Sequence, residues 1–342
     1  MVPPRKRVRQ DGTDESDEEV LQPTSPGDIT VAIFCALVEE SAAVRYTLDE
    51  EFTCKASGKQ SYVYTYGRIS EHKVVIAEPV EMGTVNAAHC AAYVSHQFPN
   101  VRLALMVGIG AGIPSKQLDI RLGDVAISVP RDDQPGVVQY DYGKYENGGF
   151  TRKGTLNKPP RVLLSAIRSL EGDELRGGSP IRKVLRHIIK QNDMFRRPDS
   201  EDILFSDTFP HVQKGQDCSA CLTSGDQEIV RRHTRSLPTQ PFTHRGLILS
   251  GSGVVKNPED REQLTRGYQS AICFEMEAAG IMDELPCLVI RGISDYADTH
   301  KHDEWRCYAA ATAAAYCKAV LQKVPGGDVE EIPLMRAIID ES

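Results

Sequence analysis

The sequence predicts an α/β fold, a mainly parallel sheet with helices on both faces, and two observations carry that prediction. Short apolar runs alternate with amphipathic stretches from Ile29 to about Gln322, the pattern of strands and helices taking turns along a chain. The segment Cys273 to Asp298, CFEMEAAGIMDELPCLVIRGISDYAD, holds both element types side by side. Within it Ala278, Ile281, Met282 and Leu285 recur at helical spacing, which gives one apolar helix face. Pro286 ends that helix. Leu288, Val289 and Ile290 follow as a β-prone run of the kind buried on both faces of a sheet.

The same segment carries the acidic groups Glu275, Glu277, Asp295 and Asp298. Glu275 and Glu277 stand at the helix start, where the positive end of the dipole favours anions. Asp295 follows the strand, and in open α/β sheets ligands collect outside the carboxyl ends of strands. Helix start and strand end would then meet over one pocket. Ordinary surface carboxylates are the competing explanation.

Composition sets outer bounds. The 342 residues suffice for one large domain or two small ones. A net charge of −8 at pH 7 argues against a broad nucleic-acid face. No apolar run approaches the ~20 residues of a membrane helix, and no apolar core of a secretory signal opens the chain. Cysteines number nine, and Cys35, Cys90, Cys273 and Cys287 sit inside apolar runs. That usage fits reduced, buried thiols in the cytosol or nucleus better than a disulfide framework.

Taken in order, residues 1–27 read as a disordered tail, because they cannot bury enough apolar surface. Their basic cluster Arg5-Lys6-Arg7-Val8-Arg9 is either a solvated run or a nuclear import signal. Ile29 to Cys35 reads as the first strand, and Val38 to Leu48 as a helix with Glu39 and Glu40 in its first turn. Tyr62–Ile69 and Lys73–Ala77 read as two strands, and Thr84–Phe98 as an alanine-rich helix stopped by Pro99. Leu103–Val107 is a strand running into Gly108-Ile109-Gly110-Ala111-Gly112. That run lacks the lysine and hydroxyl of a P-loop and is not G-x-G-x-x-G. It reads as a strand-to-loop turn, either a simple one or one where the backbone comes close to a ligand.

Val125–Val129 is a further strand, and Val137 to Tyr142 alternates like one. Arg161–Leu170 and Ile181–Ile189 read as helices, the second opened by Ser179-Pro180. Residues 198–244, rich in Pro, Asp, Ser and Thr, read as an insertion over the surface. It contains Cys218-x-x-Cys221 with His211 upstream. Two thiols at that spacing can hold zinc or form a redox pair, but the sequence shows no second pair to complete a site, so no metal is expected. Gly246–Leu249 is a strand, Asp260–Tyr268 a helix, and Asp303–Gln322 the last helix, packing Trp305, Tyr308, Ala309, Thr312 and Tyr316 on the sheet. Residues 324–342 form a C-terminal tail.

Seven segments taken together narrow the reading: CALVEESAAV (35–44), MVGIGAG (106–112), RLGDVAIS (121–128), VVQYDYGK (137–144), GLILSGSGVV (246–255), FEMEAAG (274–280) and IRGISDYAD (290–298). Over residues 28–323 the chain resembles the purine nucleoside phosphorylase and uridine phosphorylase superfamily. Within it the chain is similar to the nucleosidases that cleave methylthioadenosine and S-adenosylhomocysteine, and closer still to a fungal branch found at the front of multidomain receptor-like proteins. The resemblance implies a three-layer α/β/α sandwich around a central mixed sheet.

The resemblance also implies roles. Glu277 matches the glutamate that grips the ribose hydroxyls, and Met276 the methionine under the sugar. Asp295 matches the aspartate that protonates the purine N7, with Ser294 beside it. Glu40 matches the glutamate that activates water, and Arg291 an arginine near that water. Val254 and Val255 fall where nucleosidases contact the base. Glu275, in the same motif as Glu277, and Gly110, in the glycine run, complete the candidate binding set.

The implied activity is cleavage of the N-glycosidic bond of adenosine-type nucleosides by water. No cofactor is expected, the partner is a small-molecule purine nucleoside, and subunits of this superfamily pair as homodimers at the active site. Phosphorolysis is the second reading and a non-catalytic nucleoside sensor the third. Three departures stand out: Val254 replaces an aromatic that stacks on adenine, Ile109 replaces a serine near the water, and the stretch Met106 to Ile109 lacks the polar groups with which phosphorylases hold phosphate. A phosphate left there would lose charge-assisted hydrogen bonds of about 1.5–3 kcal/mol each. Leu37 lies where relatives hold an apolar 5′ substituent.

Overall fold

The structure, a computed structural model, describes residues 24–55, 61–131, 133–147, 149–213, 218–225, 228–300 and 302–334. The basic cluster and most of the expected N-terminal tail lie outside these residues. Thr24 bridges to Cys54, and Pro26–Asp28 form a single 3₁₀ turn.

The first half of the chain runs β1 (Val31–Phe34), α1 (Val38–Arg45), β2 (Glu50–Phe52), β3 (Tyr64–Ile69), β4 (His72–Ala77), α2 (Thr84–Gln97), β5 (Leu103–Gly112), β6 (Val125–Ser128), β7 (Val137–Gln139), β8 (Gly143–Glu146) and β9 (Gly149–Arg152). The second half runs α3 (Arg161–Leu175), α4 (Arg182–Gln191), α5 (Ser219–Thr223), β10 (Thr243–Ser250), α6 (Pro258–Thr265), β11 (Ala271–Glu275), α7 (Ala278–Glu284), β12 (Cys287–Asp295), α8 (Arg306–Lys323) and α9 (Gly326–Glu330).

The main sheet has the order β11-β10-β6-β12-β5-β1-β4-β3-β2, with β7 added on β10. It is mixed, with most of its pairings parallel and the rest antiparallel. Strand β12 is parallel to β5 but antiparallel to β6, and β3 and β4 form an antiparallel hairpin. The upper end of β5 also pairs with β11 through Ala111 and Gly112. That pairing closes β5, β12, β6, β10 and β11 into a ring, from which β1, β4, β3 and β2 extend as a wing.

Helices cover both faces, giving the three-layer α/β/α sandwich. Helix α8 lies against β5 and β12 and is covered in turn by α1, α3 and α4, while α2 packs on α7 across the other face. The expected apolar face of α8 is in fact nearly its whole circumference, Tyr308 to Cys317 being buried without interruption. A helix buried all round has no polar stripe to mark its orientation, and small alanines let its neighbours approach from several sides. Among the described residues no helix is long and apolar enough to cross a membrane.

Some elements depart from the sequence reading. The glycine run is not a turn: Gly108 to Gly112 continues β5 in register with β12 as far as Ala111. The alternation expected from Val137 to Tyr142 yields only the three residues of β7, and an exposed hairpin of β8 and β9 follows. Strand β11 went unread because its residues adjoin the helical pattern that begins at Ala278. The 198–244 segment is more than a surface cover. Phe205, Phe209 and Cys221 form a small core of their own, and Arg235 reaches the buried Asp124.

Candidate active site

Three neighbouring elements set the floor of a cavity of about 250 Å³. Helix α1 supplies Glu40. Its carboxylate folds back to accept the backbone N–H groups of Ala36 (2.8 Å) and Leu37 (3.0 Å), two of the orphan donors at a helix start. Its other oxygen accepts the N–H of Ile109 on β5 at 2.7 Å. A Cβ at residue 108 would overlap both the Glu40 carboxyl and the Arg291 guanidinium. The glycine run thus lets a strand, rather than a turn, pass close beneath buried charges.

Arg291 enters from β12, 1% exposed. Its Nη2 donates to Glu277 at 3.0 Å and pairs closely with Glu275, while Nη1 donates to the carbonyl of Ile109 at 3.2 Å and lies 3.9 Å from Glu40. Its Nε is buried without a hydrogen-bond partner among the described residues. Glu275 also accepts the N–H groups of Glu277 and Ala278, at 3.1 and 2.9 Å, at the entry to α7. Glu277 accepts the N–H of Gly83 at 3.3 Å. Gly83 caps α2 with a φ of +108°, a conformation open to glycine at little cost.

Charge matching explains the titration of this group. Burial pushes Glu40 up to about 7, against the pull of Arg291, and the carboxylate of Glu277 adds to the rise. Burial likewise raises Glu277, with Glu275 nearby adding to the effect. Burial works to lower Arg291, but three carboxylates overcome it and hold the guanidinium firmly charged. Three acids around one base leave surplus negative charge, and a buried carboxyl answers by keeping its proton.

Asp295 stands at the end of β12, on the same cavity. Burial raises its pKa, although the N–H of Ala297 (3.0 Å) and the hydroxyl of Ser294 (3.1 Å) both donate to it. A carboxyl whose pKa is raised by burial in a cleft is better suited to carry a proton to a ligand than an exposed one.

All ten residues expected from the sequence line this cavity: Glu40, Gly110, Val254, Val255, Glu275, Met276, Glu277, Arg291, Ser294 and Asp295. Val254 is 56% exposed and stands at the mouth. Arg291 is held by Glu275 and Glu277 more tightly than by Glu40, so it organises the acids as well as facing the space beside Glu40.

Phe274, Met82, Lys256 and Arg306 also line the cavity and were missed. Phe274 lay inside a quoted motif without being singled out. It is buried edge-on to Tyr140, ring centres 5.7 Å apart. Lys256 and Arg306 border a second hollow of about 330 Å³ that shares Val254, Val255, Ser294 and Asp295 with the first. Arg306 is ion-paired there with Glu39 at 2.7 Å. Nothing in the local sequence of either basic residue marks it as facing a site.

Comparison with known proteins decides the family. Residues 30–170 match the phosphorylase superfamily. That stretch belongs to the phosphorylase superfamily. The chain is 40% identical over 314 residues, 89% of its length, to a nucleotide-binding leucine-rich repeat (NLR)-like protein of Hyaloscypha variabilis. It is 34% identical over 253 residues, 72% of its length, to the ATP nucleosidase Cap17 of Escherichia coli. The chain spans only 30% of the first relative and 41% of the second.

Among solved structures the chain matches an S-adenosylhomocysteine nucleosidase from Streptococcus pyogenes with a TM-score of 0.57. The identity is 15%, over 87% of this chain and 98% of that one. A futalosine hydrolase of Helicobacter pylori matches with a TM-score of 0.54 and 16% identity, over 86% and 98% of the two chains. At such identities the likeness is one of fold.

Proposed function

We propose that this chain hydrolyses the N-glycosidic bond of an adenosine-type purine nucleoside, with water as the nucleophile. The observation that carries the reading is that Glu40 and Asp295, two carboxyls with raised pKa values, line one cavity with Glu277 beside them. Asp295 gives its proton to N7 of the purine as the bond from C1′ to N9 breaks, so the base leaves neutral. Glu277, paired with Arg291, binds the ribose diol and stabilises the positive charge that develops on the sugar. Glu40 takes a proton from the water whose oxygen attacks C1′. The products are free base and ribose. Two carboxyls acting across one water follow the logic of inverting glycosidases. Phe274 and Met276 offer flat and apolar contact to base and sugar, in place of the aromatic that Val254 lacks.

Water is favoured over phosphate by charge. Arg291 is already engaged by Glu275 and Glu277, and the Glu40 carboxylate occupies the space beside Ile109. A phosphate dianion there would face a carboxylate with no unshared cation. A sensor without activity would need no pair of acids tuned upward in this way.

The 5′ end of the substrate has its own observation. Lys256 and Arg306 border the adjoining hollow, although Asp298 and Asp303 line it too. Lys256, joined by Arg306 where it gives up its pairing with Glu39, suits a 5′-phosphorylated nucleoside, the substrate class that the name of the Escherichia coli relative indicates. The sequence reading, an apolar 5′ group near Leu37, is the alternative.

One experiment separates these readings. Adenosine, inosine, guanosine, methylthioadenosine, AMP and ATP are incubated with the protein, with and without phosphate, and products are resolved by chromatography. Free base and the free sugar or sugar 5′-phosphate, formed equally well without phosphate, are expected. Strict dependence on phosphate, with a sugar 1-phosphate as product, would reassign the reaction to phosphorolysis. Tight binding without any product would favour the sensor.

A further inference from the structure

We propose that His211, Cys218 and Cys221 bind a zinc-class divalent cation that fixes the 198–244 segment onto the loop following β12. One ligand atom from each of the three residues lies within 4.8 Å of the other two. A tetrahedral zinc ion, with bonds of about 2.0 Å to nitrogen and 2.3 Å to sulfur, holds its ligand atoms roughly 3.3–3.8 Å apart. The three groups are therefore close to a metal-binding arrangement before any ion draws them together. Two thiolates and an imidazole are the donor set zinc selects.

Two further features point to an ion. The backbone N–H of Val212 donates to the Cys221 sulfur at 3.4 Å, which fixes the direction of that side chain beside His211 and Cys218. Nε2 of His211 is buried with no hydrogen-bond partner among the described residues, an arrangement that costs free energy unless something binds there. Coordination through Nε2 moves the remaining ring proton to Nδ1. It gives up only the long 3.3 Å bond that Nδ1 accepts from the Gln213 amide.

His300 supplies what the sequence lacked. It lies 79 residues beyond Cys221 in the chain, yet its ring centre is 5.5 Å from that of His211. His300 is 4% exposed, and among the described residues neither of its ring nitrogens has a hydrogen-bond partner. Its Nδ1 faces Asp298 at 3.8 Å, which leaves Nε2 for a metal once the ring turns. A carboxylate behind the distal ring nitrogen is a common support for a metal-bound imidazole. His300 lies outside the close group of three and would complete the proposed site as a fourth ligand by moving toward the ion.

An ion would add to what already fastens this segment. Its own core has three buried side chains, Phe205, Phe209 and Cys221, with Ile203 and Cys218 half-buried against them, and polar contacts such as Arg235 to Asp124 tie it to the main body. Small units with so few apolar groups often gain stability from a metal or disulfide. The segment is applied to the stretch after Asp295. Phe205 stacks on His300 at 4.0 Å, and Arg232 donates to the Tyr296 hydroxyl at 2.9 Å. An ion among His211, the two cysteines and His300 would join the two sides and brace the hollow next to the proposed catalytic cavity.

The test uses the full chain, purified under reducing conditions without chelator or affinity metal. Elemental analysis should find about one zinc per chain. After chelation the melting temperature should fall, and added Co²⁺ should give the thiolate charge-transfer band and intense d–d bands of a tetrahedral site. The cobalt spectrum needs only the wild-type protein, so it stands even if variants fold poorly. Cys218→Ser with Cys221→Ser should abolish the thiolate band, and His300→Ala should weaken it and shift the d–d bands. Absence of bound zinc together with no thiolate band on cobalt addition would overturn the proposal. So would metal content unchanged in the double serine variant, or a Cys218–Cys221 disulfide in protein isolated without reductant.

Discussion

Two buried carboxylates show what separates a structural ion pair from a reactive one. Asp124, just ahead of β6, is 1% exposed, and Glu40 is 2% exposed. Asp124 meets Arg235 through both oxygens, at 2.8 and 2.7 Å, together with His244 at 2.8 Å and the N–H groups of Phe242 and Arg121, each at 2.9 Å. Burial pulls its pKa up, but those donors more than offset it and the pKa falls below the ordinary range. Glu40 accepts three N–H groups, yet its nearest cation is 3.9 Å away and shared with Glu275 and Glu277. Its pKa rises to about 7. Burial is the same in both places. The ratio of cations to carboxylates differs, and that ratio decides which carboxyl is fixed as an anion and which can exchange a proton near neutral pH.

The comparison can be broken most decisively at the proposed acid. Asp295→Asn should lower purine release by about 10²–10⁴-fold, with an unchanged circular dichroism spectrum. Turnover near that of the wild type would remove Asp295 from the mechanism. Glu40→Gln should come next, with a loss of about 10²-fold or more and a changed pH profile. Glu40 must be ionised to take a proton from water, so wild-type kcat/KM should climb as pH rises through about 7, and a pH series of initial rates on the variant should lack that limb.

Asp124→Asn should do the reverse. Breaking a buried, multiply bonded ion pair costs about 3–5 kcal/mol of stability, measurable by denaturant titration. The kcat of the folded fraction should stay near wild type, and a large fall in kcat would erase the distinction drawn here. The smallest effect concerns stability against pH. Asp124, with a lowered folded pKa, contributes stability above the pKa of the unfolded carboxyl that is lost as pH falls through the folded value. Glu40 has the opposite sign. The unfolded chain releases that proton near 4.5 and the folded chain near 7, so its contribution declines as pH rises across that window. Thermal melts should therefore show Glu40→Gln gaining on the wild type between pH 4 and pH 8, and parallel curves would argue that Glu40 is ionised throughout.

Legibility varied with the range of the interactions. The strands β1, β4, β5 and β10 and the helices α2, α3 and α4 were readable because apolar spacing is local. The full cavity set, from Glu40 through Asp295, was readable through the motifs that carry the family resemblance, while local spacing by itself marked only Glu275, Glu277 and Asp295. The mixed pairing of β12 with β6 was not readable, since strand direction depends on partners more than a hundred residues away. The strand conformation of Gly108 to Gly112 was hidden by the turn preference of glycine. Phe274, Lys256 and Arg306 were not singled out, because composition does not report which way a side chain faces.

The sequence by itself determined the alternation of elements, the inventory of acids and the glycines that let a backbone pass close to them. Only the tertiary structure decided that Glu40, Glu275 and Glu277 would compete for one guanidinium, and that His300 would come to rest beside His211. Both outcomes depend on distances between groups far apart in the chain. Electrostatic and coordination energies change steeply over a few ångströms, and spacing along the sequence does not encode that separation.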